Sequence, residues 1–209
     1  MISGSPIAPV VPEGHLARSE QPVLGLPNGM ELRPWRLSDA EALVAAGLDP
    51  AIRQWNLLSV RTPEEARRRI ERMHARRQAE LSTIWAIARP GGGAAVGLIG
   101  CSDIDLQGGS AEIVYWILSA ARGGGVVVEA TQRVSRWALN DLGLHRLRLC
   151  HSVRNPASCR VAAKAGFSFE GTMRSALLHA DGWHDQHLHA LIRGDIGLRG
   201  DIGLVQVDV

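Results

Sequence analysis

The sequence predicts a mixed α/β fold, a central sheet flanked by helices, and three observations predict it. Apolar residues recur at helical spacing as far as about Arg77, and from Ser82 they switch to the two-residue period of strands. A strand over 111–118 runs into three consecutive glycines and then a helix from Val126 to about Asp141. Beyond that come a strand at 146–151, a short helix at 155–165 and a closing run of strands. A chain of 209 residues fits a single core. We assign one domain to 29–194, a flexible or wrapped extension to 1–28 and a tail to 195–209.

The elements follow in order. Pro6, Pro9, Pro12, Pro22 and Pro27 punctuate the extension and disfavour regular structure there. Residues 30–33 alternate apolar and charged, which reads as a short strand that Pro34 ends. Ser38 with Glu41 reads as a capping box opening a helix that runs to about Gly47. Asp49 opens a second short helix through Trp55. Thr62, Pro63 and Glu65 form a stronger start signal, and Ile70 and Met73, with Arg77 at the same helical spacing, make that helix amphipathic. Residues 83–88 and 95–102 read as a hairpin about Gly91, Gly92 and Gly93. In the helix after 126, Val127, Ala130, Val134 and Trp137 fall on one stripe, and Gly143 stops it. Leu147, Leu149 and His151 alternate with Arg146, Arg148 and Cys150. Strands at 167–170, 175–179 and 185–193 complete the sheet, with Asp181-Gly182 as a hairpin turn. Trp35, Trp85, Trp116 and Trp137 read as core.

Composition narrows the function classes. Hydrophobic residues are 45% and charged residues 21%, values of a globular protein. The net charge of +2 is too small to point to nucleic acid, and the arginine cluster between 61 and 77 reads first as a solvated helix face. Cys101, Cys150 and Cys159 fit neither a disulfide framework nor a zinc spacing. His179, His184, His187 and His189 lie across a hairpin without the spacing of a helical zinc motif, so no metal is expected. The start of the chain lacks a secretory pattern and no apolar run approaches membrane length, so the expected location is cytoplasmic.

The segment from Ile113 to Ala130 carries the chemistry. A helix N-terminus presents unpaired N–H groups and positive potential, where phosphates bind. Gly123, Gly124 and Gly125 let an anion approach the backbone, and Arg122 adds a charged donor. A flexible turn is the other reading. No Lys-Ser/Thr pair follows, as a nucleotide P-loop would need, and the glycines lack dinucleotide-motif spacing.

Ala111-Glu112-Ile113-Val114-Tyr115-Trp116-Ile117, followed by Arg122-Gly123-Gly124-Gly125, resembles the acetyl-CoA motif of the GNAT superfamily. The branch that it looks most like contains the ribosomal-protein N-acetyltransferases RimJ and RimL. Leu32-Arg33-Pro34-Trp35 with Asp39-Ala40, the run from Asn155 through Ser158 to Gly166-Phe167, and Asp181-Gly182 before Asp185-Gln186-His187 resemble further segments of that branch, over roughly 30–194. The resemblance implies a GNAT-like mixed sheet splayed at its middle, with acetyl-CoA as cosubstrate and no metal. It puts the pyrophosphate at Arg122, Gly123, Gly124, Gly125 and the helix start at Val126. It gives strand-end contacts to Ile117 and Leu118, and the pantetheine arm to Asn155 and Ser158. The implied reaction is direct acetyl transfer to a primary amine, on a protein N-terminus or on a small molecule. A non-catalytic acyl-CoA sensor is the alternative. No membrane or nucleic-acid partner is expected, and a homodimer is allowed.

An alkyl ammonium ionises near pH 10, so the acceptor must lose a proton before it attacks. Glu112 is the first base candidate, its other reading being a strand carboxylate paired with an arginine. His151 is the rival, its other reading being a loop-facing polar residue. Ser158 is the acid candidate, or else a serine that satisfies a helix start. Trp55, in a polar setting, with His187 and His189 on one strand face, is expected at the acceptor pocket. A basic wall there would suit an acceptor with acidic neighbours.

Overall fold

The computed structural model describes residues 7–56 and 58–198. The first six residues of the extension and the tail beyond Leu198 lie outside that range. The chain runs α1 (His15–Arg18), β1 (Leu24–Gly25), β2 (Glu31–Pro34), α2 (Ala40–Leu48), α3 (Pro50–Asn56), α4 (Pro63–Gln78), β3 (Thr83–Ala88), β4 (Ala95–Asp105), β5 (Ser110–Ile117), α5 (Val126–Arg136), β6 (Arg146–Ser152), α6 (Pro156–Lys164), β7 (Ser168–His179), β8 (Gly182–Ile192) and α7 (Arg193–Leu198). The eight strands form one sheet in the order β1-β2-β3-β4-β5-β6-β8-β7. Every neighbouring pair is antiparallel except β5 and β6, which run parallel.

That parallel pair shapes the molecule. Its register starts at Ser110–Arg146 and stops at Glu112–Arg148, although β5 continues to Ile117 and β6 to Ser152. Each strand stays zipped to its outer neighbour, Ile117 opposite Gly97 on β4 and Ser152 opposite Gln186 on β8. The sheet therefore opens like a V from the Glu112–Arg148 pair.

A core lies on each face. On one, α2, α3 and α4 pack Leu43, Ile52 and Ile70 against Trp35 and Trp116, whose rings stand 6.0 Å apart. On the other, α5 and α6 cover Leu147, Leu149 and Phe167, and Trp85 meets Trp137 edge-on at 4.8 Å. The four tryptophans expected in the core are all buried. Val11 and Leu16 from the extension are buried in this second core as well. The Glu80 carboxylate accepts the N–H groups of Gly14, Leu16 and Ala17, so α1 is capped by a side chain distant in sequence.

Local signals mostly set the elements where expected. Thr62 accepts the Glu65 N–H while the Glu65 carboxylate accepts that of Thr62, closing the capping box before Pro63. The Ser38–Glu41 box does not form. Leu37–Asp39 winds as a 3₁₀ turn, and Asp39 accepts the Arg36 N–H at 2.8 Å and both terminal nitrogens of Arg33. A buried guanidinium requires a carboxylate, and that requirement outweighs a local hydroxyl cap. Helix α5 ends at Arg136 and continues as a π turn over Trp137–Asp141, which swings Trp137 onto Trp85. Val126 packs on the core, while Val127 faces the opening between β5 and β6. The strands expected at 167–170 and 175–179 are one strand, β7, kept in register with β8 by two irregularities, one beside Ser175 at φ 47°.

Candidate active site

The V between β5 and β6 encloses a cavity of about 720 Å³. Strand β5 forms one wall, the end of β6 with α6 the other, and α3 and the β7–β8 hairpin meet at its rim. At one end lies the glycine turn. Gly123 has φ 90° and Gly125, the N-cap of α5, has φ 75°, a region that L side chains avoid. A β-carbon at either position would meet nothing within 4 Å, so the backbone faces open space. The N–H groups of Val126 and Val127 precede the hydrogen-bonded ladder of α5, which Val128 and Glu129 begin by donating to the Gly125 carbonyl, and this leaves a cradle for an anion. The Arg122 guanidinium stands beside it, held by Asp49 at 2.8 Å and by the Ile117 carbonyl at 3.2 Å. Leu118 contributes nothing to the cavity wall: its N–H bonds to Val96 and its carbonyl accepts from Ala121. Gly124 is exposed beside the cavity, not on its wall, whereas Ile117 and Val126 line it.

Asn155 and Ser158 sit on the α6 wall. The Asn155 side chain caps α6 by accepting the Ser158 N–H at 3.2 Å. Facing them is Tyr115, the chain's one tyrosine. Burial pushes its phenol up to about 12, although the Ser158 hydroxyl pulls the other way, so at neutral pH it is a proton donor. The sequence reading missed Tyr115 because strand alternation alone does not tell core from cavity. Cys150 also lines the cavity, and burial, helped by Glu112, pushes its thiol up to about 11.

The two base candidates both line the cavity, and each has a partner there. Glu112 accepts from Arg148 at 2.9 Å at the closed corner of the V, where an arginine pair holds the strands together. The Nδ1 of His151 meets the Ser152 carbonyl at 2.9 Å, and its Nε2 faces Nε2 of His189 at 3.3 Å. Burial lowers the affinity of His151 for a proton, and His187 lowers it further. His187 and His189 lie on the α6 face of β8 and do not line the cavity, because strand alternation turns Gln186 to its wall instead and His184 toward Trp55. Trp55 does line it, edge-on to His179 at 5.7 Å and to His184 at 6.4 Å.

A chain of side chains from separate parts of the sequence leads out of the cavity. The Ser152 hydroxyl, on the cavity wall, is 2.8 Å from Nδ1 of the buried His184. Nε2 of His184 is 2.9 Å from the Asp181 carboxylate, whose other oxygen accepts from Arg154. With Nε2–H donating to Asp181, Nδ1 accepts from Ser152. The nearby ring of His179 stands 4.4 Å from that of His184. The three residues lie on β6, β8 and the turn between β7 and β8, so only the assembled sheet brings them together.

A second cavity, of about 340 Å³, adjoins the first and shares Asn56, Val114, Tyr115 and Trp116 with it. Its outer wall is α4, with Arg69, Arg72 and Arg76. The ion pair on α4 among the described residues joins Arg67 to Glu64, two exposed side chains, and leaves those three without an acidic partner. Burial, then Arg72, lowers the proton affinity of Arg69.

A parallel strand pair that opens above an anion-binding helix start defines a class of acyl-CoA-binding transferase folds. Residues 30–168 match the model of the acetyltransferase (GNAT) domain, and the chain belongs to that family. Among curated relatives, it is 27% identical to the N-acetyltransferase YoaA of Bacillus subtilis over 74% of this chain and 88% of that one. It is 31% identical to the ribosomal-protein-serine acetyltransferase of Escherichia coli over 46% of this chain and 54% of that one. The chain spans about half the length of the first curated relatives that it matches. Two solved structures share the fold. RimJ of Mycobacterium smegmatis, in complex with CoA-disulfide, superposes with a TM-score of 0.75 at 23% identity, over 84% of this chain and 88% of that one. The ribosomal-protein-S5-alanine acetyltransferase of Vibrio fischeri gives 0.73 at 20% identity, over 84% and 98%.

Proposed function

We propose that the protein transfers the acetyl group of acetyl-CoA directly to a primary amine, and that the preferred amine is the N-terminus of a protein. The V-shaped opening that leads to the Gly123–Gly125 cradle carries this reading. The cradle fits a pyrophosphate, since its glycines leave the space that a β-carbon would take and Arg122 supplies the countercharge. Acetyl-CoA supplies a thioester, whose carbonyl carbon an amine attacks directly, forming the amide and expelling the CoA thiolate without a covalent enzyme intermediate. The raised thiol of Cys150 agrees with that.

The acceptor enters from the α3 side, past Trp55. Its proton passes to the Ser152 hydroxyl as that hydroxyl hands its own to Nδ1 of His184, and Asp181 steadies the imidazolium that results. Tyr115 on the β5 wall and Ser158 on the α6 wall donate toward the departing sulfur. Arg69, Arg72 and Arg76 favour an acceptor with acidic groups near its amine, and the names of the ribosomal-protein relatives support a protein acceptor over a small molecule.

Free-thiol release with a panel of N-terminal peptides, amino acids, polyamines and aminoglycosides tests this. The expected result is transfer to peptides, strongest where acidic residues follow the first position. Preference for a polyamine would overturn the charge argument, transfer to small amines alone would remove the protein acceptor, and binding without transfer would make the protein a sensor. Ser152→Ala and His184→Ala are expected to lower kcat/KM by about 10²–10⁴, with the loss shrinking as pH rises and the acceptor ammonium loses its proton to solvent. A loss of the same size at every pH would rule out the proton route.

A further inference from the structure

On the α6 face of the sheet, four side chains from three elements converge: His151 from β6, which also lines the cavity, Cys159 from α6, and His187 and His189 from β8. Their donor atoms all lie within 4.8 Å of one another. Nε2 of His151 and Nε2 of His189 are 3.3 Å apart, the edge of a tetrahedron drawn with metal–nitrogen bonds of about 2.0–2.1 Å. The Nδ1–H of His151 donates to the Ser152 carbonyl, which fixes the tautomer and turns the Nε2 lone pair into the cluster, as metal-bound imidazoles are usually held. The Nδ1 atoms of His187 and His189 are buried and have no hydrogen-bond partner. Nε2 of His189 is the atom that faces His151, so an ion held there leaves its Nδ1 unmet, and the unpartnered Nδ1 of His187 is the one in this nest that calls for a missing group. The ring of Phe169 stands edge-on to His187 at 5.1 Å and to His189 at 5.4 Å, giving the nest an apolar flank.

We propose that His151, Cys159, His187 and His189 bind one zinc(II) ion that fastens α6 to β6 and β8. Three imidazoles and a thiolate suit a borderline-soft divalent cation and not magnesium or calcium, which take oxygen ligands. Four protein ligands leave no open position, so the ion is structural. On binding, Cys159 gives up its thiol proton to solvent and the imidazoles bind through neutral nitrogens. The gain is local: α6 starts at Asn155 and carries Ser158, so the ion would lock one wall of the cavity to the sheet. The sequence reading expected no metal because it weighed the four hairpin histidines by spacing along the chain. The cluster takes two of them and completes itself with His151 and Cys159 from other elements.

The test uses the full chain, stripped with a chelator and titrated with cobalt(II), then zinc(II). One cobalt per chain is expected, with the visible bands of a tetrahedral ion and a thiolate charge-transfer band in the near ultraviolet, both removed by zinc. Cys159→Ser should abolish the charge-transfer band, His187→Ala should weaken cobalt binding at least tenfold, and His145→Ala, outside the cluster, should change neither. Zinc should raise the melting temperature of the parent and raise that of His187→Ala less. Absence of a saturable cobalt spectrum in the parent would overturn the proposal without any variant having to fold. So would a spectrum that neither Cys159→Ser nor His187→Ala alters. Either failure leaves the acetyl-transfer reading standing, since thiol release is measured separately.

Discussion

Arg122 shows how one side chain is shared between fold and ligand. Its guanidinium bonds Asp49, which also caps α3 through the N–H groups of Ala51 and Ile52. Loss of the arginine leaves those caps intact, so Arg122→Ala should fold normally and bind acetyl-CoA more weakly, by about 1.5–3 kcal/mol for a charge-assisted contact. Gly125→Val should bind more weakly still, because it fills the cradle and forces a β-branched residue to φ 75°. Calorimetric titration of both variants checks this, and parent-like affinity in both would move the pyrophosphate elsewhere. Other residue roles could not be read locally. Glu112 looked like a base because it sits among apolar neighbours in sequence, but its partner Arg148 becomes adjacent only through parallel pairing.

At the scale of elements, the turn into α2 rests on the Arg33–Asp39 pair, both side chains buried. Burial, the largest influence on Asp39, pushes its carboxyl up. The Arg33 guanidinium and the Arg36 N–H together outweigh burial and leave it below the ordinary value. A carboxyl depressed in the folded state contributes stability that is complete above its unfolded value, about 3.9, and is lost as pH falls through the folded value. The melting temperature of the parent should therefore carry an Asp39 contribution at neutral pH that vanishes in acid. Asp39→Asn, which strands a buried guanidinium, should cost about 3–5 kcal/mol at neutral pH, and its deficit should shrink below about pH 4. Melts of both proteins from neutral pH to acid check this, and a deficit that does not change with pH would assign the loss to packing instead.

The whole molecule joins two cores through one sheet, and the extension belongs to the second of them. Leu16 is fully buried there, so Leu16→Ala should cost about 2–5 kcal/mol in denaturant unfolding. A cost near zero would mean that the extension leaves the core in solution. Acetyl-CoA, as a ligand of the native state alone, should stabilise the protein by about 2.7 kcal/mol at one hundred times its dissociation constant. An unshifted melt together with a silent calorimetric titration would count against binding in the V. Within the described residues no helix is long and apolar enough to cross a membrane.

The sequence by itself determined whatever depends on neighbours along the chain. Thr62, Pro63 and Glu65 start α4, Asn155 and Pro156 start α6, and Gly143 ends the turn after α5, because caps and positive-φ stops act over a few residues. The glycine turn before Val126 was legible for the same reason, since its chemistry lies in consecutive backbone groups. Tertiary structure decided what depends on strand pairing and on which face a residue takes. It swapped Ser38 for Asp39 as the anchor of α2, because the countercharge comes from a strand. It also put His184 and His187 on opposite faces of β8, since successive side chains alternate there. As a result Ser152, His184 and Asp181 meet on one side, and His151, Cys159, His187 and His189 meet on the other.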